Sequence, residues 1–314
     1  MPPSKLVRLA IFSVLVILTF TQHLNAGLGL LSGLIFALAL GNPIRNFTQK
    51  WADLILKFSV VGLGFGLDLQ TLWANTQDGI WLTVSTIAFA LAMGLLLGRL
   101  LGVDGKLSTL ITTGTSICGG SAIAAMSPTI GARQDQTVIS ISIVFILNGI
   151  ALYVYPWLGH LFNLSQQQFG LWAALGIHDT SSVVGAASLY GEEALKIATT
   201  TKLARALWII PLVLGTSVYM SRKQGQSGRT KINIPYFILL FILASAITTF
   251  VPAASRVTPW LVHLAKIGLV LSLLFMGAGF TRELLRTINL KPMIQAVVLW
   301  LMVSSGSLMA ILYL

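Results

Sequence analysis

Apolar runs about as long as a bilayer is thick recur along this chain, separated by short polar stretches. They bracket at 6–22, 27–41, 51–67, 80–101, 108–130, 137–159, 168–190, 203–220, 233–252, 259–280 and 291–313. An uncharged run of that length predicts a helix crossing a membrane, because hydrocarbon offers no partner to a backbone N–H or C=O and a helix satisfies its own. The pattern therefore predicts an all-α polytopic membrane protein of about ten or eleven transmembrane helices, forming one integral membrane domain over 1–314.

Basic residues collect between the runs, at Arg45 and Lys50, at Arg99 and Lys106, from Arg222 to Lys231 and from Arg282 to Lys291. Lys and Arg are retained on the cytoplasmic side during insertion, and all four loops lie on that side only if the N-terminus does too. Lys5 and Arg8 precede an apolar run that resembles a signal sequence, but no small-residue cleavage site follows, so it reads as a retained first helix. Trp73, Trp81, Trp157, Trp260 and Trp300 fall near segment ends and are expected to anchor there at the headgroups.

Composition narrows the class. Of the 314 residues 55% are hydrophobic and 9% charged, which leaves no surface for a sizeable soluble domain. The 20 basic residues against 9 acidic ones belong to the loops, so no nucleic-acid partner is expected; the lipid bilayer is the partner. Cys118 is the one cysteine, which excludes an intramolecular disulfide and a cysteine metal cluster. No cofactor or metal motif is present. The run G-L-G-F-G at 62–66 lacks the spacing of a nucleotide loop and reads as a close helix contact.

Two apolar segments are interrupted in the same way. G-T-S-I-C-G-G-S-A-I-A at 114–124 and D-T-S-S-V-V-G-A-A-S-L at 179–189 share the order Thr-Ser, spacer, Gly, small residue, Ala. Glycine permits unwinding, and an unwound segment offers free backbone groups to a polar solute. The pair predicts two broken or re-entrant helices facing one site; the uncharged loop at 160–168 favours the re-entrant form. A looser echo between 57–72 and 266–284 suggests inverted repeats, with approximate halves 6–159 and 168–313.

The chemistry follows from these interruptions. Candidate substrate-binding residues are Thr115, Ser116, Gly119, Gly120, Ser121, Thr180, Ser181 and Ser182, with half-helix N-termini suited to an anion. Lys202 and Arg205, three apart and so on one helix face, are read as attractive charges for it, or else as cations that snorkel to the interface or pair with Glu192 and Glu193. Asp179 has three readings: coupling to a proton or cation, a salt bridge, or the N-cap of the following helix. His178 beside it is a candidate proton carrier. Adjacent residues in H-D-T-S-S cannot form a relay with one another and no G-x-S-x-G elbow exists, so an enzyme is not expected.

The combination of G-T-S-I-C-G-G-S-A-I-A-A, P-W-L-G-H, F-G-L-W-A-A-L-G-I-H-D-T-S-S-V-V-G-A-A and K-L-A-R-A-L-W-I-I-P resembles the YeiH-like family of bacterial inner-membrane proteins described as sulfate exporters. The resemblance covers most of the chain and departs at Gly120, where some relatives carry Ala. It implies a secondary transporter related to the bile-acid and arsenite carrier superfamily, with inverted repeats like those of NhaA, in the bacterial inner membrane. Two function classes follow. The first is a secondary active transporter, an exporter, of a small inorganic or sulfur-containing anion such as sulfate or sulfite, coupled to H+ or Na+ through Asp179. The second is an ion channel or a non-transporting membrane sensor that uses the same polar cluster for packing. A homodimer is a candidate assembly.

Overall fold

Ser4, Asn25, Asp104 and Ser165 each place a side-chain oxygen on the first free N–H groups of a helix, accepting from Val7, Leu28, Leu107 and Gln168 respectively. Helices dominate the computed structural model, which describes residues 4–66, 69–224, 236–251, 256–280 and 289–313. Among the described residues there are helices and no strands. Five stretches are long and apolar enough to cross a membrane: Trp81–Leu100, Asp135–Leu161, Glu192–Met220, Thr258–Ala278 and Leu290–Leu312. The chain divides into two compact units, each drawn from separate stretches.

The first unit comprises Met1–Ala74, Gly185–Gly191 and Pro235–Arg286. It contains α1 (Lys5–Phe20), α2 (Ala26–Leu40), α3 (Arg45–Gly64), α12 (Tyr236–Phe250) and α13 (Thr258–Ala278). Helix α13 packs against both α2 and α3. The approach to α2 needs glycine on both sides, since a Cβ on Gly33 would strike the Leu274 carbonyl and one on Gly277 the Leu30 carbonyl. Gly62, read from sequence as a close helix contact, meets Ala265, where an added Cβ would lie 2.7 Å from the alanine Cβ. Phe12, Phe36, Phe275, Leu274 and Ala278 fill the core beside them. The two segments of the looser sequence echo thus pack together as α3 and α13; residues 67–68 and 281–284 of that echo lie outside the described residues, as does most of the basic loop at 221–231.

The second unit comprises Asn75–Val184, Glu192–Ile234 and Thr287–Leu314. Its elements are the greater part of α4 (Leu69–Leu100), α5 (Gly105–Ser116), α6 (Gly120–Thr129), α7 (Gln134–Leu161), α8 (Gln166–Gly176), the start of α9 (Thr180–Tyr190), α10 (Glu192–Ala206), α11 (Ile209–Gln224) and α14 (Leu290–Leu312). Gln295 of α14 binds α4 and α5, its Nε2 donating to Gly94 O at 2.9 Å and Ser108 Oγ at 2.8 Å. The segment read as 203–220 is longer than its apolar pattern suggested. Helix α10 begins at Glu192 and buries threonines and two cations, so hydropathy alone misses its first half.

The tryptophans divide. Trp81, Trp157 and Trp260 are exposed at 81%, 65% and 62%, as expected of interfacial anchors. Trp300 is not an anchor: it is buried in the second unit, and its Nε1 donates to Gly176 O at 3.1 Å. The side chain of Trp73 lies outside the described ones.

Candidate functional site

Both interrupted segments fold back on themselves. At the first, α5 is 12 residues long and α6 is 10, about 18 and 15 Å, each near half the hydrocarbon thickness. Lys106 at the start of α5 donates to Gly131 O beyond the end of α6 at 2.6 Å, and Gln136 donates to Asp104 Oδ1 at 2.7 Å. Entry and exit of this hairpin are therefore side by side, with its tip at Ile117–Gly119. The tip closes through Gly119 N–H on Gly114 O at 2.9 Å, and Gly119 takes φ +64°, a conformation that L side chains rarely adopt. Gly120, by contrast, is the ordinary first residue of α6, and a Cβ there would meet only the Phe145 ring, at 3.6 Å.

The second hairpin is built alike. Gln166 at the start of α8 accepts from Glu193 N–H at 3.0 Å, so the chain has returned by the start of α10. Helix α10 then runs beside α8 in the same direction: Gly170 lies against Ala194 and Ile197, and Lys202 reaches Ala174 and Ile177. The tip is Ile177–Asp179. Asp179 caps α9, its Oδ1 accepting from Ser182 N–H at 2.9 Å and its Oδ2 from Ser181 Oγ at 2.5 Å. Of the three sequence readings of Asp179, the cap is the one with a bond to show, and no ion pair to Asp179 forms among the described residues.

The two tips meet. A Cβ on Gly119 would lie 3.2 Å from Asp179 Cβ and 3.4 Å from His178 O. The N-terminal positions of α6 and α9 are thus adjacent, which brings two positive dipole ends together. Helix α9 is capped by a carboxylate, whereas α6 has no side-chain cap. Ser121 stands on the exposed face of α6, Gly120 and Thr180 are half-buried, and Thr115, Ser116, Ser181 and Ser182 are buried.

The C-terminal ends of α5 and α8 carry buried orphan carbonyls, and Lys202 and Arg205 answer them. Arg205 donates from Nε and Nη2 to Ser116 O at 2.9 and 2.6 Å, and from Nη1 to Leu175 O at 2.6 Å, joining the two hairpins. Lys202 Nζ donates to Ile177 O at 2.7 Å and Ala174 O at 3.2 Å. Trp300 takes the remaining carbonyl of Gly176. Both cations have 0% exposure, which removes the snorkelling reading, and neither pairs with a carboxylate among the described residues. Ser116 is spoken for as well, its hydroxyl donating to Thr112 O at 2.6 Å.

Sequence reasoning missed several residues here. Tyr155 of α7 stacks on Trp172 of α8 with centroids 4.2 Å apart, its hydroxyl bonds Ser304, and Trp172 Nε1 donates to Ser304 O at 2.9 Å. Asn148, the one amide within the apolar run 137–159, accepts from His178 N–H at 3.0 Å. A lone amide in such a run was the available signal. The buried Thr115 Oγ1, Thr201 Oγ1, Asn148 Nδ2 and both ring nitrogens of His178 have no partner among the described residues.

The family described as conserved hypothetical protein 698 matches residues 5–296. A UPF0324 membrane protein of Bdellovibrio bacteriovorus is 44% identical over 313 residues, covering 99% of this chain and 96% of the relative. The chain belongs to the UPF0324 membrane protein family. A member from Bacteroides thetaiotaomicron is 40% identical over 97% of this chain and 94% of its own length, and one from Porphyromonas gingivalis is 43% identical over 93% and 88%. No solved structure matches the chain. With these relatives named as membrane proteins and five helices fit to cross a bilayer, this UPF0324 protein is a multi-pass membrane protein.

Proposed function

We propose that this UPF0324 protein is a secondary transporter of a small inorganic or sulfur-containing oxyanion, placed in the bacterial inner membrane with its N-terminus cytoplasmic. The observation that carries the reading is the meeting of two hairpin tips, Gly119 against Asp179, amid buried cations. Each arm is about half a bilayer long, so a solute held at the tips sits near the midplane and has two sides from which to be reached. Two helix N-termini and the field of Lys202 and Arg205 favour negative charge, while the single carboxylate is occupied as a cap. A channel needs a continuous polar path, and nothing in the described residues favours one over a central site.

Coupling to H+ or Na+ through Asp179 belongs to the same proposal. Asp179→Asn retains an oxygen for the Ser182 N–H but carries no charge. Purified protein in liposomes is loaded with labelled sulfite or sulfate under an imposed pH or sodium gradient. The wild type is expected to show gradient-driven flux, and Asp179→Asn flux indifferent to the gradient. Flux of unchanged gradient dependence places the coupling elsewhere, and no flux of any oxyanion in the wild type ends the transporter reading.

A further inference from the structure

Asn148 and His178 carry side-chain nitrogens at the tips that find no partner among the described residues. Asn148 is 2% exposed in the middle of α7, and its Oδ1 accepts from the His178 main chain at 3.0 Å. That bond settles the orientation of the amide: an N–H must be met by the oxygen, so Nδ2 and its two N–H donors point the other way. No acceptor among the described residues meets them. His178 is 1% exposed, and neither ring nitrogen has a partner among the described residues. A buried unpaired polar group costs about 1–3 kcal/mol, which an apolar residue at either position would avoid. Both groups lie at the meeting of the hairpins, since Val144, one turn before Asn148, would lie 3.3 Å from a Cβ on Gly119.

The chemistry of the pair is more selective than a cluster of donors. Two amide N–H groups suit the charged oxygen of any anion. A neutral imidazole adds one N–H and one lone pair, and a lone pair repels a bare anionic oxygen but accepts from an O–H. The ionisable groups around it are Asp179 next in the chain, Lys202 and Arg205 of α10, and Cys118 of the facing tip. The donors bonded from the two cations go to carbonyls, so they set a positive field without reading the ligand's protonation.

Resting on the anion reading above, we infer that Asn148 and His178 bind an oxyanion carrying one proton on oxygen, of the hydrogencarbonate or hydrogensulfite kind. The Asn148 amide donates to its charged oxygen and the imidazole lone pair accepts its O–H.

Titration calorimetry on the full chain in detergent tests this with two matched pairs. Hydrogencarbonate is compared with nitrate, both planar monoanions, and hydrogensulfite with chlorate, both pyramidal monoanions, at a pH where sulfite is mostly singly protonated. In whichever pair binds, the O–H-bearing member is expected to bind about tenfold tighter or more, as one hydrogen bond to a charged ligand provides. Asn148→Asp keeps the acceptor for His178 N–H but loses both donors, and is expected to lose binding of both members. Should that variant fail to fold, His178→Phe carries the test: it keeps the main-chain bond and the shape, removes two unpaired buried nitrogens, and should abolish the preference. Equal or tighter binding of nitrate or chlorate, or a preference that survives His178→Phe, overturns the inference and leaves the anion site standing. Binding of none of the four overturns the anion reading itself.

Discussion

Arg205 is the residue on which most of the second unit's polar arrangement turns. Its fork reaches the last carbonyl of α5 with two donors and one in the last turn of α8 with a third, a spread that the single nitrogen of a lysine does not match. Arg205→Met is expected to orphan two buried acceptors at about 1–3 kcal/mol each, and to lower the melting temperature in detergent well below that of Ser121→Ala, a change on an exposed face. Arg205→Lys is expected to fall between them. A melting temperature unchanged in Arg205→Met means that water or lipid serves those carbonyls instead. Lys202 and Arg205 were legible in the sequence as a pair on one helix face. Their targets were not, because a carbonyl at a helix end is the same atom as any other until the chain stops coiling.

At the scale of the element, the first hairpin depends on which of two neighbouring glycines makes the turn. Gly119 holds φ +64° with Asp179 and Val144 close by, whereas Gly120 opens α6 with room for a methyl group. Gly119→Ala is expected to destabilise by about 1–3 kcal/mol through the backbone alone, with added loss as Asp179 is pushed aside. Gly120→Ala is expected to fold and bind as the wild type does. Thermal melts of the two variants in detergent decide; equal melting temperatures mean that the tip is not held in this turn. Sequence showed that a glycine pair interrupts an apolar run, and only the dihedral angles showed which of the two the turn requires.

For the whole molecule, two hairpins replace two spans, and this alters which loops share a side. If Lys106 and Gly131 are neighbours, cysteines at Gly105 and Arg133 must react with an impermeant thiol reagent from the same face of the membrane, here expected to be the cytoplasmic one. Gln167→Cys and Glu192→Cys are expected to react together from the opposite face. Labelling in a Cys118→Ala background checks this, and opposite faces within either pair would mean that the element spans.

What the sequence determined by itself was everything set by local cause. Apolar runs marked where most helices lie, though α4 begins at Leu69 and α10 at Glu192, well before the runs at 80 and 203, and Gly with Thr-Ser marked both interruptions, because bilayer solvation and backbone sterics act on each segment separately. Tertiary structure alone decided that each interruption is a tip, that the tips touch, that Trp300 turns inward, and that Asn148 meets His178 across 30 residues. Those outcomes come from satisfying buried polar groups, and a carbonyl or amide has no preferred partner until packing brings one within hydrogen-bond reach.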